Sequence, residues 1–186
     1  MERSTKNKLI WTAAKLFQEK GYNGVGLGEI LSVSGIPKGS LYHHFPNGKS
    51  DLALAAAKFA HGEMTRIIDE AFLDAASFQD GATTLFHKLA KLFEFMGKHT
   101  ACPVSYILFA GPENIEFRKR TSEVFDAWIA QIAAHAERLG ETPSASESGA
   151  RHLFVVLQGG WMLARARHDS DQLRGLSGLM FGERAQ

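Results

Sequence analysis

The first part of this chain takes its fold from one stretch, Leu27-Gly-Glu-Ile-Leu-Ser-Val-Ser-Gly-Ile-Pro-Lys-Gly-Ser-Leu-Tyr-His-His-Phe45. Residues 27–33 and 38–44 read as two short helices, and Ser34-Gly-Ile-Pro37 separates them. Glycine permits a turn there, and proline fixes a backbone torsion that suits a helix start. This layout is that of a helix-turn-helix, whose second helix enters the major groove of DNA. The motif alone leaves a coincidental helical hairpin as the alternative.

The residues of this stretch divide into an apolar and a displayed set. Six apolar side chains can form a small shared core, namely Ile30, Leu31, Val33, Ile36, Leu41 and Phe45. The residues left for display are Lys38, Gly39, Ser40, Tyr42, His43 and His44. Lys38 and the nearby Lys49 can neutralise phosphates, while Ser40 and Tyr42 can donate hydrogen bonds. Side chains at the start of the second helix can reach base edges, so the displayed set suits a DNA surface.

Helical periodicity extends over the rest of the chain. Apolar stripes occur at 9–17, before a stop at Gly21, and again at 85–96, 125–139, 153–164 and 173–180. Ser50 is a candidate cap for a helix that carries the stripe at 52–59. No segment alternates with period two for long enough to indicate a sheet. We therefore predict an all-α fold of about nine helices, with a three-helix DNA-binding domain at residues 1–50 and a helical ligand-binding and dimerisation domain at residues 51–186.

Composition and charge fit an ordinary globular protein. Of the 186 residues, 45% are hydrophobic and 22% are charged, as in average globular domains. The net charge of +1 divides into +4 for residues 1–60 and −3 for the remainder, which suggests that the first part meets a polyanion. Solvated lysines without a partner would give the same imbalance. Neither a signal-peptide pattern nor an apolar run of membrane-spanning length occurs, so we expect a cytoplasmic protein.

Features that would indicate an enzyme or a metal protein are weak. His43 and His44 are adjacent, and neighbouring side chains on a helix point about 100° apart, so both cannot face one ion. His99 and Cys102 lack a second pair at zinc-site spacing, and Cys102 is the single cysteine. A cysteine hydrolase would also need a histidine base and an orienting acid. Without a glycine-rich phosphate loop, HExxH or GxSxG motif, we predict no catalysis, no metal and no cofactor.

Stretches around the motif resemble a known family. Phe17-Gln-Glu-Lys-Gly-Tyr22, the segment 30–45 and Lys49-Ser-Asp-Leu52 resemble the N-terminal domain of TetR family repressors. Cys102-Pro-Val104 and the later helices look similar to the subgroup related to the LmrA and YxaF regulators. The resemblance implies a dimer of nine-helix subunits, whose C-terminal domains dimerise through the last two helices and hold an inducer pocket. It also implies that Lys38, Gly39, Ser40, Tyr42 and His43 face DNA and that His44 and Lys49 lie near phosphate.

Two positions depart from the family pattern. Val25 and Gly26 stand where relatives usually have a threonine or serine that caps the second helix and often touches phosphate. Pro37 stands where relatives often have serine, so the recognition helix relies on a fixed proline torsion and not on a side-chain cap. The phosphate contact of the missing hydroxyl therefore cannot occur here.

The C-terminal part is rich in aromatic side chains. Most of them are expected in the core, because helices bury such stripes. Some can also line an apolar cavity with a few polar groups, and the candidates for ligand binding are Phe93, Cys102, Tyr106, Phe109, Phe125, Trp128, Phe154 and Gln158. Gly159-Gly160 inside a helix suggests close helix approach at a dimer interface. Candidates for that interface are Leu157, Trp161, Ala164, Leu173, Leu176 and Met180.

These observations favour a DNA-binding transcriptional regulator. We expect a homodimeric repressor that binds a near-palindromic double-stranded operator and is released by a small apolar or aromatic inducer. The alternative is a helical small-molecule-binding protein whose DNA-binding head has no function. The displayed Lys38, Tyr42 and Lys49 distinguish the two hypotheses, because a carrier protein does not need them.

Overall fold

A computed structural model describes residues 4–98 and 114–182, and every regular element in these two ranges is a helix. The described helices are α1 (Thr5–Lys20), α2 (Leu27–Ser34), α3 (Lys38–His44), α4 (Lys49–Phe72), α5 (Phe78–Phe95), α6 (Ile115–Arg138), α7 (Pro143–Arg167), α8 (Asp171–Arg174) and α9 (Leu176–Phe181). The predicted all-α class is confirmed. Among the described residues, no helix is long and apolar enough to cross a membrane.

Local sequence explains where several helices begin. Ser4, Ser77 and Thr142 precede α1, α5 and α7, and each side-chain oxygen accepts a hydrogen bond from a backbone N–H of the first turn. Ser50 was predicted to cap α4, but the helix already begins at Lys49, so Ser50 lies inside it. The carboxylate of Asp51 instead accepts hydrogen bonds from the backbone N–H and side-chain amide of Asn47, at 2.9 and 3.1 Å.

The described chain forms two compact units. The first contains residues 4–63 and 114–124, and the second contains 64–98 and 125–182. The first unit therefore extends beyond the predicted boundary at residue 50 and includes the start of α6. Its core holds Leu9 and Phe17 from α1, Ile30 from α2, Leu41 from α3 and Leu52 from α4, all fully buried.

Within the helix-turn-helix, the predicted shared core is only partly right. Ile30, Leu41 and Phe45 are buried, and Leu31 and Ile36 are half-buried. Val33 is 61% exposed, so its assignment to the core was wrong. Ile30 and Ser34 are four residues apart on the buried face of α2, and Val33 lies off that face.

The core of the second unit is built mainly from large apolar side chains of α5, α6 and α7. Leu85, Leu89 and Phe93 of α5 are fully buried, as is Leu153 of α7. The final helix predicted around 173–180 is two short helices, α8 and α9, with Gly175 between them. Both short helices contact α5 and α7, so the end of the described chain closes this core.

Candidate nucleic-acid interface

The turn between α2 and α3 is fixed by glycine and by a buried serine. Gly35 has a left-handed backbone, with φ of 65°, and its N–H donates to the carbonyl of Leu31 at 2.9 Å. The Ser34 hydroxyl donates to the same carbonyl and accepts from the N–H of Ile36. Ser34 is 1% exposed, so its hydroxyl satisfies buried backbone groups at the turn.

Helix α3 starts directly after Pro37 and presents most of its residues to solvent. The carbonyl of Pro37 accepts from the N–H groups of Ser40 and Leu41, and the proline provides no side-chain cap, as predicted. Leu41 is fully buried and anchors the helix. Lys38, Gly39, Tyr42 and His43 are exposed, and Ser40 and His44 are half-buried. These six residues therefore lie on one short helix, with the accessibility that contact with DNA bases requires.

Tyr42 is positioned by a residue outside its own helix. Gly48 has a positive φ of 63°, which favours glycine. A Cβ added to it would lie 3.3 Å from Leu27 and 3.4 Å from the Tyr42 ring. Gly48 therefore allows the α3–α4 turn to pack against Tyr42, a role that the sequence pattern does not indicate.

The two lysines assigned to DNA have different surroundings. Lys38 is exposed, with its Nζ 5.9 Å from the centroid of the Tyr42 ring. Lys49 is half-buried, its Nζ lies 4.2 Å from the centroid of the Tyr22 ring, and burial lowers its pKa below the ordinary value of 10.5. Lys20, by contrast, forms an ion pair with Glu29, so its charge is compensated within the unit.

The residues assigned to ligand binding are only partly brought together. Phe125, Trp128 and Phe154 form one aromatic cluster, with ring centroids 4.9 to 6.3 Å apart. Gln158, half-buried, lies one turn beyond Phe154 on α7. Phe93 instead packs edge-on against Trp161, at 5.8 Å. Cys102, Tyr106 and Phe109 lie outside the described residues.

The structure buries most of the residues assigned to the dimer interface within one subunit. Leu157, Trp161, Ala164, Leu173 and Leu176 are each at least 95% buried within a single subunit, and Met180 is half-buried. Side chains already buried by their own subunit have little surface left for a partner. The large apolar side chains that α7 and α9 do expose are Val155, Met162, Leu163 and Leu179.

The glycine pair of α7 also divides between the two faces of the helix. A Cβ added to Gly160 would lie 2.5 Å from Leu176 of the same chain, so its close approach is to α9. A Cβ added to Gly159 would meet no atom within 4 Å, because this residue faces open space. Only Gly159 is therefore available for close approach by another chain.

Comparisons with known families match both parts of the chain. Residues 9–56 match the family described as bacterial regulatory proteins, tetR family. Residues 79–178, more than half of the chain, match the family described as transcriptional regulator LmrA/YxaF-like, C-terminal domain.

Individual relatives match over nearly their full length. The uncharacterized HTH-type transcriptional regulator YxaF of Bacillus subtilis is 29% identical over 171 residues, covering 91% of this chain and 89% of the relative. The HTH-type transcriptional regulator LmrA of the same organism is 26% identical over 176 residues, covering 93% of each chain.

Solved structures share the fold. A TetR transcriptional regulator from Legionella pneumophila has a TM-score of 0.81 at 20% identity, covering 97% of this chain and 96% of its own. A cysteine mutant of the regulator CifR, complexed with 26-bp double-strand operator DNA, has a TM-score of 0.80 at 20% identity, covering 97% and 95%. At this identity the two structures establish the common fold.

Proposed function

The chain belongs to the TetR family of bacterial regulatory proteins, and we propose that it is a homodimeric repressor, released from its operator by a small apolar ligand. The observation that carries this proposal is the exposed surface of α3. Lys38, Tyr42 and His43 of this helix are exposed, and its buried Leu41 anchors it in the unit. A helix that exposes cationic and hydrogen-bonding groups after a helix-turn-helix suits the major groove.

The DNA-facing residues divide into two roles. Ser40 and His43 lie on α3, and we assign them to base edges because their side chains are short or planar hydrogen-bonding groups. We assign Lys38 and Lys49 to phosphates, which cations contact without regard to sequence. We also assign His44 to a phosphate, to which its ring N–H can donate a hydrogen bond. Gly39 and Tyr42 complete the surface, with glycine leaving room for close approach of the DNA.

A second copy of the chain is the proposed partner for the exposed face of α7 and α9. Val155, Gly159 and Met162 follow each other at helical spacing along one side of α7. Val155, Met162 and Leu179 are 63%, 74% and 75% exposed, which is costly in water for large apolar side chains. The small Gly159 between them lets a partner helix come close. We therefore replace the predicted set of interface residues with this exposed set.

The proposed inducer site is the cluster of Phe125, Trp128 and Phe154. Its rings offer flat apolar walls, and Gln158 on the next turn of α7 can provide a polar contact. These residues suit a small, mostly apolar or aromatic molecule. Release follows if that molecule binds the DNA-free conformation more tightly than the DNA-bound one.

Selection of bound DNA from a random pool with the full-length protein tests the proposal. We expect a near-palindrome whose half-sites place two recognition helices about 34 to 36 Å apart, or at a related spacing. Affinity for the selected site should fall steeply with salt. Lys38→Met should weaken binding, whereas Lys58→Met, a matched change of another exposed lysine in the same unit, should alter it little. Absence of any enriched sequence at low salt would overturn the proposal and favour a ligand-binding protein without DNA function.

A further inference from the structure

The ammonium group of Lys49 lies on the face of an aromatic ring. Lys49 is the first residue of α4, and its Nζ is 4.2 Å from the ring centroid of Tyr22, in the turn after α1. This distance is well within the range of a cation–π interaction, in which the negative face of the ring attracts the cation. Both side chains are half-buried, so water screens the attraction less than at a fully exposed site.

The Tyr22 ring is itself held by two other rings. Phe17 of α1 lies 5.7 Å away at a tilt of 38°. Phe117 of α6 lies 5.1 Å away with its plane at 90° to that of Tyr22, an edge-to-face geometry that aromatic pairs favour. Phe17 and Phe117 are both fully buried. Tyr22 therefore packs on two buried rings while its ring also meets the Lys49 ammonium.

We propose that Tyr22 is a positioning residue for operator binding: its ring face holds the Lys49 ammonium at the start of α4, and Phe117 of α6 holds the ring. A free lysine side chain has many rotamers and must lose them to contact a phosphate. A lysine that is already restrained loses fewer, so its contact with DNA is stronger. This inference rests on the proposed contact between Lys49 and phosphate, and it adds two residues that do not touch DNA themselves.

The same arrangement connects Lys49 to a helix outside the helix-turn-helix. Phe117 belongs to α6, a single helix that continues to Arg138 and also carries Phe125 and Trp128 of the proposed inducer cluster.

Fluorinated side chains at position 22 test the role of the ring face. Phenylalanine replaces Tyr22 first, followed by analogues with one, two and three ring fluorines, which withdraw electron density while nearly keeping the shape of the ring. Affinity for the selected operator is measured with the full-length dimer, in wild-type and Lys49→Met backgrounds. With Lys49 present, we expect affinity to fall stepwise, by about 2- to 5-fold across the series. With Lys49→Met, the series should have no effect.

Each outcome distinguishes the positioning role from the proposed function. If the series is flat while Lys49→Met weakens binding, the positioning role of Tyr22 is overturned and the phosphate contact stands. If Lys49→Met changes neither the affinity nor its salt dependence, the phosphate contact fails, and the inference fails with it. Equal losses in both backgrounds would mean that fluorine disturbs only packing against Phe117, which also overturns the inference. The same fluorines at Phe17 serve as the control and should not depend on Lys49.

Discussion

Gly81 marks the point where the first turn of α5 meets the end of α4. A Cβ added there would lie 2.2 Å from Cδ1 of Phe72, far inside van der Waals contact. The Phe72 ring has little freedom to move away, since it stacks on Phe78 at 5.9 Å and on His135 at 5.2 Å. The requirement for glycine at this position therefore comes from packing and not from backbone torsion.

Replacement of this glycine should destabilise the protein. For Gly81→Ala we expect the free energy of unfolding to fall by about 1–3 kcal/mol, the usual cost of overpacking a core. Gly62→Ala is the matched control, because Gly62 lies in α4 and a Cβ there meets no atom within 4 Å. That variant should gain up to about 1 kcal/mol from helix propensity. Urea unfolding of both variants measures the difference, and equal stabilities would contradict the packing argument.

Helical phase predicted the exposure of individual residues well on α3 and less well elsewhere. Lys38, Tyr42 and His43 are exposed as expected, because the buried Leu41 fixes which face of α3 points inward. Val33 was misplaced because an apolar residue next to a buried face satisfies the same periodicity. The roles of Tyr22 and Gly48 could not be found from spacing, since they depend on Lys49, Phe117 and Tyr42, which pack against them only in the folded chain.

At the scale of helices, polar contacts fasten α6 to the second half of α4. The Gln131 amide donates to the carbonyl of Thr65 at 3.0 Å and to Asp69 Oδ1 at 2.7 Å. Nε2 of His135 is hydrogen-bonded to the same Asp69 oxygen at 2.8 Å. Burial raises the pKa of Asp69, but the hydrogen bonds from Gln131 and His135 and the electrostatic attraction of His135 together lower it more, so it lies below its ordinary value of 3.8.

This cluster predicts a pH dependence of stability. A carboxyl group whose pKa is lower in the folded state stabilises the fold at pH values above about 4. That contribution is lost as the pH falls through the lowered folded pKa. Gln131→Met should raise the pKa of Asp69, as carbon-13 NMR of its carboxyl would report. The difference in the free energy of unfolding between Gln131→Met and wild type should then shrink below pH 4. Gln79→Met on α5 makes the same chemical change as a control, and an unchanged pKa of Asp69 in Gln131→Met would refute the argument.

Sequence periodicity identified α7 but not which of its apolar faces is internal. Leu153, Leu157, Trp161 and Ala164 form the stripe that was recognised, and all four are buried within the subunit. Val155 and Met162 form a second apolar row on the outside. A periodic pattern shows that a face is apolar, but it does not show whether the same chain or another one covers it. Periodicity alone therefore does not decide whether Trp161 contacts its own chain or a partner.

At the scale of the whole molecule, the exposed row gives a prediction about assembly. Met162→Glu and Leu179→Glu should each yield monomers with unchanged helix content, because the new charges lie in the proposed contact between copies. Leu73→Glu is the matched control, since Leu73 is 68% exposed just after α4 and should leave the dimer intact. Trp161→Glu should instead unfold the protein, because Trp161 is 3% exposed and packs on Phe93.

Sedimentation and circular dichroism separate these outcomes. A monomer that keeps its helices supports the exposed row as the interface, whereas loss of helices indicates a core position. If Trp161→Glu gave a folded monomer while Met162→Glu stayed dimeric, the interface would lie on the set predicted from the sequence, and the proposed exposed set would be wrong. Monomeric wild-type protein at micromolar concentration would rule out the dimer and, with it, the paired contact with a palindrome.

Binding of the ligand should weaken binding of the operator. A neutral aromatic compound that binds the cluster of Phe125, Trp128 and Phe154 should quench Trp128 and weaken operator binding over the same concentration range. Linkage sets the size of the effect, because a tenfold loss of operator affinity requires the compound to bind the DNA-free form tenfold more tightly than the DNA-bound form. Phe125→Ala should shift both curves together. Trp11→Phe, a change in the first unit, should shift neither. A compound that quenches Trp128 without altering operator affinity would show that the cluster binds ligand but does not regulate, because equal affinity for two conformations cannot change their populations.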